Sequence, residues 1–352
     1  MTSSLPRLRF ALALMALGAF TSLAAAKDVW TDAKDPTLGA DFHLQGEYTG
    51  DKIGAQVIAL GNKALQVVVL PGGLPGAGWD GEHKCLVEGT IDGEKATLSP
   101  AKGKKNYLAQ SPAEFSATSK NPPAGQKDYS GTISGGTLTL KGDDGKTISL
   151  KRVTRESPTA KEKPPAGALV LFDGSNTSEW TGGKIDPETK SLLNEGHDIL
   201  TKKKFLNYTA HCEFLLPYRP DARGQGRGNS GFYQVDLYEI QILDSFGLDG
   251  KDNECGGVYT KLAPKVNMCL PPLEWQTYDV DFTSAVRDDK GKKTADARIT
   301  LKHNGVLIHD NAKISGITGG SRNEPEGTPG PLKLQGHGNP LQFRNIWIVE
   351  KK

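Results

Sequence analysis

The stretch Tyr238-Glu239-Ile240-Gln241-Ile242-Leu243-Asp244 alternates polar and apolar side chains with a period of two. Successive side chains of a β-strand point to opposite faces, so Ile240 and Ile242 share one face while Glu239 and Gln241 share the other. The apolar pair predicts a buried side, and the polar pair predicts a lining for whatever lies above the sheet. Working outward, Tyr208 to Leu216, Gly231 to Val235, Trp275 to Phe282, Leu332 to Gln335 and Leu341 to Val349 read as further strands. Asn304-Gly305, between Ile299/Leu301 and Val306/Ile308, has the positive-φ preference of a type I′ hairpin turn. Many short strands with no long helical period predict a β-sandwich over residues 168–352, opening on Ala168-Leu169-Val170-Leu171-Phe172.

Upstream, residues 27–155 read as a small antiparallel β domain, a barrel or a sandwich. Its expected strands include Gln56 to Leu60, Leu65 to Leu70, Thr137 to Leu140 and Thr147 to Val153, with Gly142-Asp143-Asp144-Gly145 as a tight turn. No catalytic or metal spacing occurs there, and Pro71 to Trp79 reads as a long glycine-rich loop. Pro158, Pro164 and Pro165 fall within residues 156–167, a stiff composition that predicts a linker between the two parts. Residues 1–26 carry Arg7 and Arg9, an apolar run from Phe10 to Phe20 and then Ala24-Ala25-Ala26, the order of a secretory signal peptide.

Composition narrows the functional classes. A length of 352 residues suits about two domains at roughly 100 to 200 residues each, and 42 Gly with 21 Pro favour a turn-rich β protein. Arg7 and Arg9 account for the formal charge of +2, so the remainder is neutral and lacks the long-range field that attracts nucleic acid or anionic lipid. No later apolar run approaches the 18 or so residues that span a bilayer, which predicts no membrane insertion. An exported product, periplasmic or extracellular, is expected. The seven histidines and four cysteines include no zinc-binding spacing. No cofactor is required by the sequence, although Glu239 and His337 could together hold a divalent metal.

Strand parity supplies the candidate chemistry. Leu332 and Leu334 are expected inward and Lys333, Gln335 and His337 outward; Gln342 shares a face with Arg344. Phe343 and Trp347 are expected on one face of their strand and Ile346 and Ile348 on the other, and Arg344 beside them should have a defined partner. The run Arg223-Gly224-Gln225-Gly226-Arg227-Gly228-Asn229-Ser230-Gly231 has no following helix and no Gly-Lys-Ser/Thr ending, so it is a poor phosphate loop. Arg227 and Asn229 could instead donate to a ligand approaching the backbone. Glycoside hydrolysis by two flanking carboxyl groups is disfavoured, because Glu239 and Asp244 lie on opposite faces and Gln241 stands where an acid would be wanted.

Taken together, these residues resemble the 3-keto-disaccharide hydrolase family, whose fold is that of concanavalin A-like lectins and glucanases, a jelly-roll β-sandwich. The resemblance covers Ala168 to Glu350. It rests on Leu171-Phe172-Asp173-Gly174, Trp180, Asn229-Ser230-Gly231, the Tyr238 to Asp244 strand, Gly257-Val258-Tyr259, Trp275-Gln276-Thr277-Tyr278, Asn304-Gly305, Leu334-Gln335-Gly336-His337-Gly338 and Phe343-Arg344-Asn345-Ile346. It implies a carbohydrate substrate oxidised at C3, whose acidified C2 hydrogen is removed by one base before the C1 substituent leaves and water adds back. Glu239 is then the expected base, His337 the alternative base or leaving-group acid, and Arg344 the stabiliser of the developing anion. Asn229, Gln241, Tyr259 and Gln335 would position sugar hydroxyls. A non-catalytic carbohydrate-binding module is the competing expectation, since one sandwich serves both purposes. A cell-envelope scaffold that uses the amino-terminal domain is a third. The Cys255 to Cys269 segment and residues 41–155 fall outside the general family pattern. The two cysteines enclose a short loop in a chain expected to be exported, which predicts a disulfide worth about 3 kcal/mol in the chain-entropy account; Cys85 and Cys212 are expected as buried thiols.

Overall fold

The computed structural model describes residues 29–351, so the expected signal segment lies outside the described residues. The amino-terminal part is a closed eight-stranded antiparallel barrel. Its strands are Gly46–Gly50, Ile53–Ala59, Ala64–Pro71, Cys85–Asp92, Lys95–Pro100, Tyr129–Ser134, Thr137–Gly142 and Thr147–Val153, each paired with the next. The barrel closes where Glu47 pairs with Val153. Closure leaves no free sheet edge.

The Ala64–Pro71 strand shows why the barrel and the sandwich are joined. Val67 and Val69 point into the barrel with Val57, Leu138 and Leu140, whereas Val68 and Leu70 belong to the same apolar cluster as the sandwich core. A strand buried on both faces reads as a continuous apolar run, which Val67-Val68-Val69-Leu70 is. In return, Leu215, Tyr218 and Leu273 of the sandwich belong to the barrel's inner cluster.

The second part is a β-sandwich. One sheet has eight strands, ordered Lys184–Ile185, Leu192–Leu193, Gln342–Glu350, Tyr208–Leu215, Trp275–Thr283, Ala297–His303 and Val306–Ile314, with Leu169–Phe172 also paired to Gln342–Glu350. The other has five, ordered Trp180–Thr181, Ile199–Thr201, Lys333–Leu334, Asn229–Gln234 and Tyr238–Leu243. Phe214, Tyr278 and Phe343 of the larger sheet share one core with Phe232, Ile240, Ile242 and Leu334 of the smaller. Tyr278 Oη donates to the Gln241 carbonyl at 2.6 Å, tying the sheets through a satisfied buried hydroxyl. Asn304 and Gly305 adopt φ of 50° and 77°, as the hairpin reading requires. No described helix is long and apolar enough to cross a membrane.

Residues 156–167 form a strap on the outer face of the larger sheet. The contacts are polar: Ser157 Oγ and Thr277 Oγ1 lie 2.6 Å apart, Thr159 Oγ1 donates to Asp279 at 2.8 Å, and the Lys161 amide donates to Glu213 at 2.5 Å. A segment too polar to bury a core thus docks through hydrogen bonds.

Two expectations are corrected here. Cys255 and Cys269 are neighbours, but both thiols are free, as are those of buried Cys85 and Cys212. Each sulfur of the first pair has its own hydrogen-bonding surroundings, Cys255 with Tyr278 Oη at 3.2 Å and Cys269 with the Leu243 carbonyl at 3.5 Å. Phe343 and Trp347 do not share a face. Asn345 takes φ of 45° where the pairing of Gln342–Glu350 with Tyr208–Leu215 shifts register, and the extra residue resets the alternation. Phe343, Ile346 and Ile348 therefore enter the core, while the Trp347 ring stacks on His211.

Candidate active site

The outer face of the five-stranded sheet carries the candidate site. In its register Tyr233 lies opposite Glu239, Gly231 opposite Gln241, and Lys333 opposite Tyr233. Alternation brings Asn229, Tyr233, Glu239, Gln241 and Gln335 to that face, where Gln225, Tyr259, Gly319, Gly320 and His337 complete a cleft of about 200 Å³. Glu239 is the one carboxylate among the described residues that line it.

Glu239 is 2% exposed. A Cβ at position 231 would lie 2.4 Å from Glu239 Oε1, so the carboxyl occupies space that only glycine leaves open. Tyr233 Oη lies 2.9 Å from Glu239 Oε2 and 2.7 Å from the Gly319 carbonyl, and Gln335 Nε2 donates to Tyr233 Oη at 3.2 Å. With its amide oriented to satisfy both neighbours, Gln241 donates to Glu239 Oε1 at 2.9 Å. Burial pushes the Glu239 carboxyl up to about 7, against the Tyr233 hydrogen bond and the Lys333 charge, which favour the anion. The carboxyl thus titrates near neutrality, as an acid–base group should. When Glu239 is ionised, Tyr233 can donate to it. When it is protonated, the carboxyl can donate to the Tyr233 oxygen while Tyr233 donates to Gly319.

Lys333 supports this arrangement from the sheet. Its Nζ lies 3.9 Å from the Tyr233 ring centroid, 2.7 Å from Asp236 and 2.6 Å from the Gly320 carbonyl. Asn229 donates to the Gln225 side chain at 3.0 Å, but its buried Oδ1 has no partner among the described residues. That leaves one acceptor for a ligand hydroxyl.

The structure brings together six of the seven residues expected to act on or hold the substrate: Glu239, His337, Asn229, Gln241, Tyr259 and Gln335. Arg344 is the exception and is corrected. It lies in the larger sheet, where Nε donates to Glu213 at 2.7 Å and the guanidinium stands 3.9 Å above the Trp275 ring. Its parity was legible, but nothing in a single strand says which sheet receives it. Arg227, offered as a donor, instead pairs with Asp244 at 2.7 Å. Sequence reasoning missed Tyr233, Gln225 and Lys333 as site residues. Tyr233 shares the parity of Asn229 and was readable on that ground.

A different charged cluster lies under the strap. His211 Nδ1 is 2.6 Å from Asp279 and Nε2 is 3.5 Å from Glu213, with both His211 and Glu213 fully buried. Burial alone would push the imidazole down, but the Asp279 hydrogen bond and the adjacent Glu213 carboxylate outweigh it and raise His211 to about 9. Glu162, His211 and Asp279 are close enough to surround a cation. The short Nδ1 contact and the raised affinity for protons make the cluster an imidazolium between carboxylates. Around Glu239 and His337 no third His, Cys or carboxyl gathers among the described residues.

The sequence was compared with known proteins. The profile described as 3-keto-alpha-glucoside-1,2-lyase-like domain matches residues 167–349. A crystal structure from Parabacteroides distasonis ATCC 8503, provisionally described as a glycosyl hydrolase, is similar at 31% identity and TM-score 0.48, over 53% of this chain and 85% of that one. Another from the same organism, described in the same way, is similar at 20% identity and TM-score 0.38, over 57% and 99% of the two chains. No curated protein matches the chain. The profile spans just over half of the sequence, including every residue that lines the cleft, and the chain belongs to the 3-keto-alpha-glucoside-1,2-lyase-like family as a carbohydrate-active enzyme of the glycoside hydrolase or lyase type.

Proposed function

We propose that the protein cleaves the glycosidic bond of 3-keto sugars by removing the C2 proton. The observation that carries this reading is a single carboxyl, Glu239, buried in a polar cleft and titrating at about 7. Hydrolysis by paired carboxyl groups needs a second acid across the bond. The lining supplies amides, phenols and one imidazole instead.

In this mechanism Glu239 takes the proton from C2, and the C2–H electron pair moves into the C2–C3 bond while the C3 carbonyl becomes an enolate. The enolate then re-forms the carbonyl, a C1–C2 double bond appears, and the bond from C1 to the leaving oxygen breaks. His337, exposed at the rim, protonates that oxygen. Adding water across the double bond would complete hydrolysis; omitting it would leave an unsaturated keto sugar. Tyr233 takes the stabilising role first expected of Arg344: its hydroxyl adjoins Glu239, and as that carboxyl gains the C2 proton the O–H turns from the Gly319 carbonyl to the C3 oxygen. Hydrogen-bond donors aimed at developing charge contribute a large share of such catalysis. The order of basic, apolar and small residues before position 27 supports export of the enzyme.

Incubation with 3-keto disaccharides and their unoxidised parents tests the proposal. Cleavage confined to the keto sugars is expected. Equal cleavage of the parents would overturn C2 deprotonation, because without the carbonyl that hydrogen is not acidic.

A further inference from the structure

We infer that the groove between the barrel and the sandwich is a second carbohydrate subsite, which holds neutral sugar units beyond the oxidised ring. This rests on the cleavage reading above and extends it to substrates longer than a disaccharide.

The cleft is small. At about 200 Å³ it falls below the roughly 300 to 1,000 Å³ typical of sites that enclose a drug-sized ligand, so it suits about one ring. A groove of about 360 Å³ is lined in part by the segment of residues 249–259 that also borders the cleft. Asp249 and Lys251 line the groove, whereas Tyr259 lines the cleft and the Asn253 carbonyl accepts from Gln225 of the cleft at 2.9 Å. One segment therefore borders both sites.

The groove has the parts that bind a pyranose: an aromatic face for its C–H bonds and paired charges for its hydroxyls. Trp79 is half-buried there, with Nε1 fixed by the His83 carbonyl at 2.8 Å. The loop that presents it is tightly wound. A Cβ at Gly72 would lie 2.3 Å from the Gly78 carbonyl oxygen and one at Gly73 would lie 2.1 Å from that of Ala77, so these glycines let the loop close on itself. Lys84, 7% exposed, holds its ammonium 5.3 Å from the Trp79 ring centroid and donates to Asp249 at 3.1 Å; Asp249 in turn accepts from the Ser119 amide and hydroxyl at 2.8 Å. Among the described residues Asp249 is the one hydrogen-bond partner of the Lys84 ammonium, which leaves two of its three donors for ligand oxygens. The site thus offers a fixed donor, a fixed acceptor and an indole within one groove.

The test uses the full chain, titrated calorimetrically with the unoxidised trisaccharides maltotriose and cellotriose. At least one should bind, Trp79→Ala should weaken it tenfold or more, and Glu239→Gln should change it less than twofold. With a 3-keto trisaccharide as substrate, Trp79→Ala should raise KM at least fivefold with kcat unchanged. Failure of wild type to bind either trisaccharide would overturn the subsite, as would binding that survives Trp79→Ala but is lost in Asn229→Ala. Should Trp79→Ala unfold by circular dichroism, Lys84→Gln replaces it, with a fivefold loss expected and an unchanged affinity refuting the inference. Trisaccharide binding that depends on Trp79, without turnover of any keto sugar, would remove the cleavage reading and keep the subsite.

Discussion

The acid–base behaviour of Glu239 is set by residues two strands wide. Its carboxyl should control the rate through its anion, so kcat/KM should rise with pH and level off above about 7 rather than near the ordinary value of 4.5. Tyr233→Phe removes a donor that favours the anion, so the midpoint of that profile should move to higher pH, with a loss of activity; a midpoint moving lower would refute the assignment. Arg344 gives the opposite contrast. Arg344→Ala should leave kcat within about twofold and lower stability by about 1 to 3 kcal/mol, since Glu213 would lose a charged partner while remaining buried; thermal unfolding and steady-state kinetics separate the two effects. Parity made Glu239, Gln241 and Gln335 legible because alternation is local to a strand. The place of Arg344 depended on which sheet its strand joins, and that is a property of the whole fold.

At the scale of elements, the bulge at Asn345 and the strap could not be read from periodicity. A bulge adds one residue and reverses every later assignment of inside and outside, which is how Trp347 came to face His211. The strap was readable as a proline-rich segment, but its docking depends on partners more than 40 positions away, Glu213, Thr277 and Asp279. His211, buried beneath it, has a folded pKa of about 9 against 6.5 for the free side chain. Its contribution is therefore full below about 6.5 and is lost as pH rises through about 9, on the order of 3 kcal/mol in total. Glu213 shares part of this interaction, together with Asn345, Arg344 and the Lys161 amide. Burial would raise its pKa, but its hydrogen bonds hold it near 2, so its share is present above about 4.5 and is lost as pH falls through 2. His211→Gln should destabilise the fold by about 3 kcal/mol at pH 6 and flatten the decline between pH 6.5 and 9 seen in denaturant titrations of the wild type. An unchanged pH dependence would contradict the imidazolium cluster.

Across the whole molecule, both expected parts are present, and the two cores interpenetrate. The barrel's continuous apolar strand announced burial on both faces, but its partner on the outer face was not legible because the sequence does not show which surfaces meet. Removing the barrel would expose Leu215, Tyr218 and Leu273 at about 1.5 to 3 kcal/mol per large apolar side chain. Residues 168–352 alone should therefore aggregate or melt well below the full chain, and a monomer of unchanged Tm would contradict a shared core. The central claim concerns chemistry at one carboxyl, and it is tested most directly by following a 3-keto disaccharide and its parent with wild type and Glu239→Gln under identical conditions. The predicted result is cleavage of the keto sugar alone, reduced by about 10² to 10⁴ in the variant while sugar binding persists. Product formed at an unchanged rate by Glu239→Gln, or no product from any keto sugar alongside equal affinity for both sugars, would contradict it.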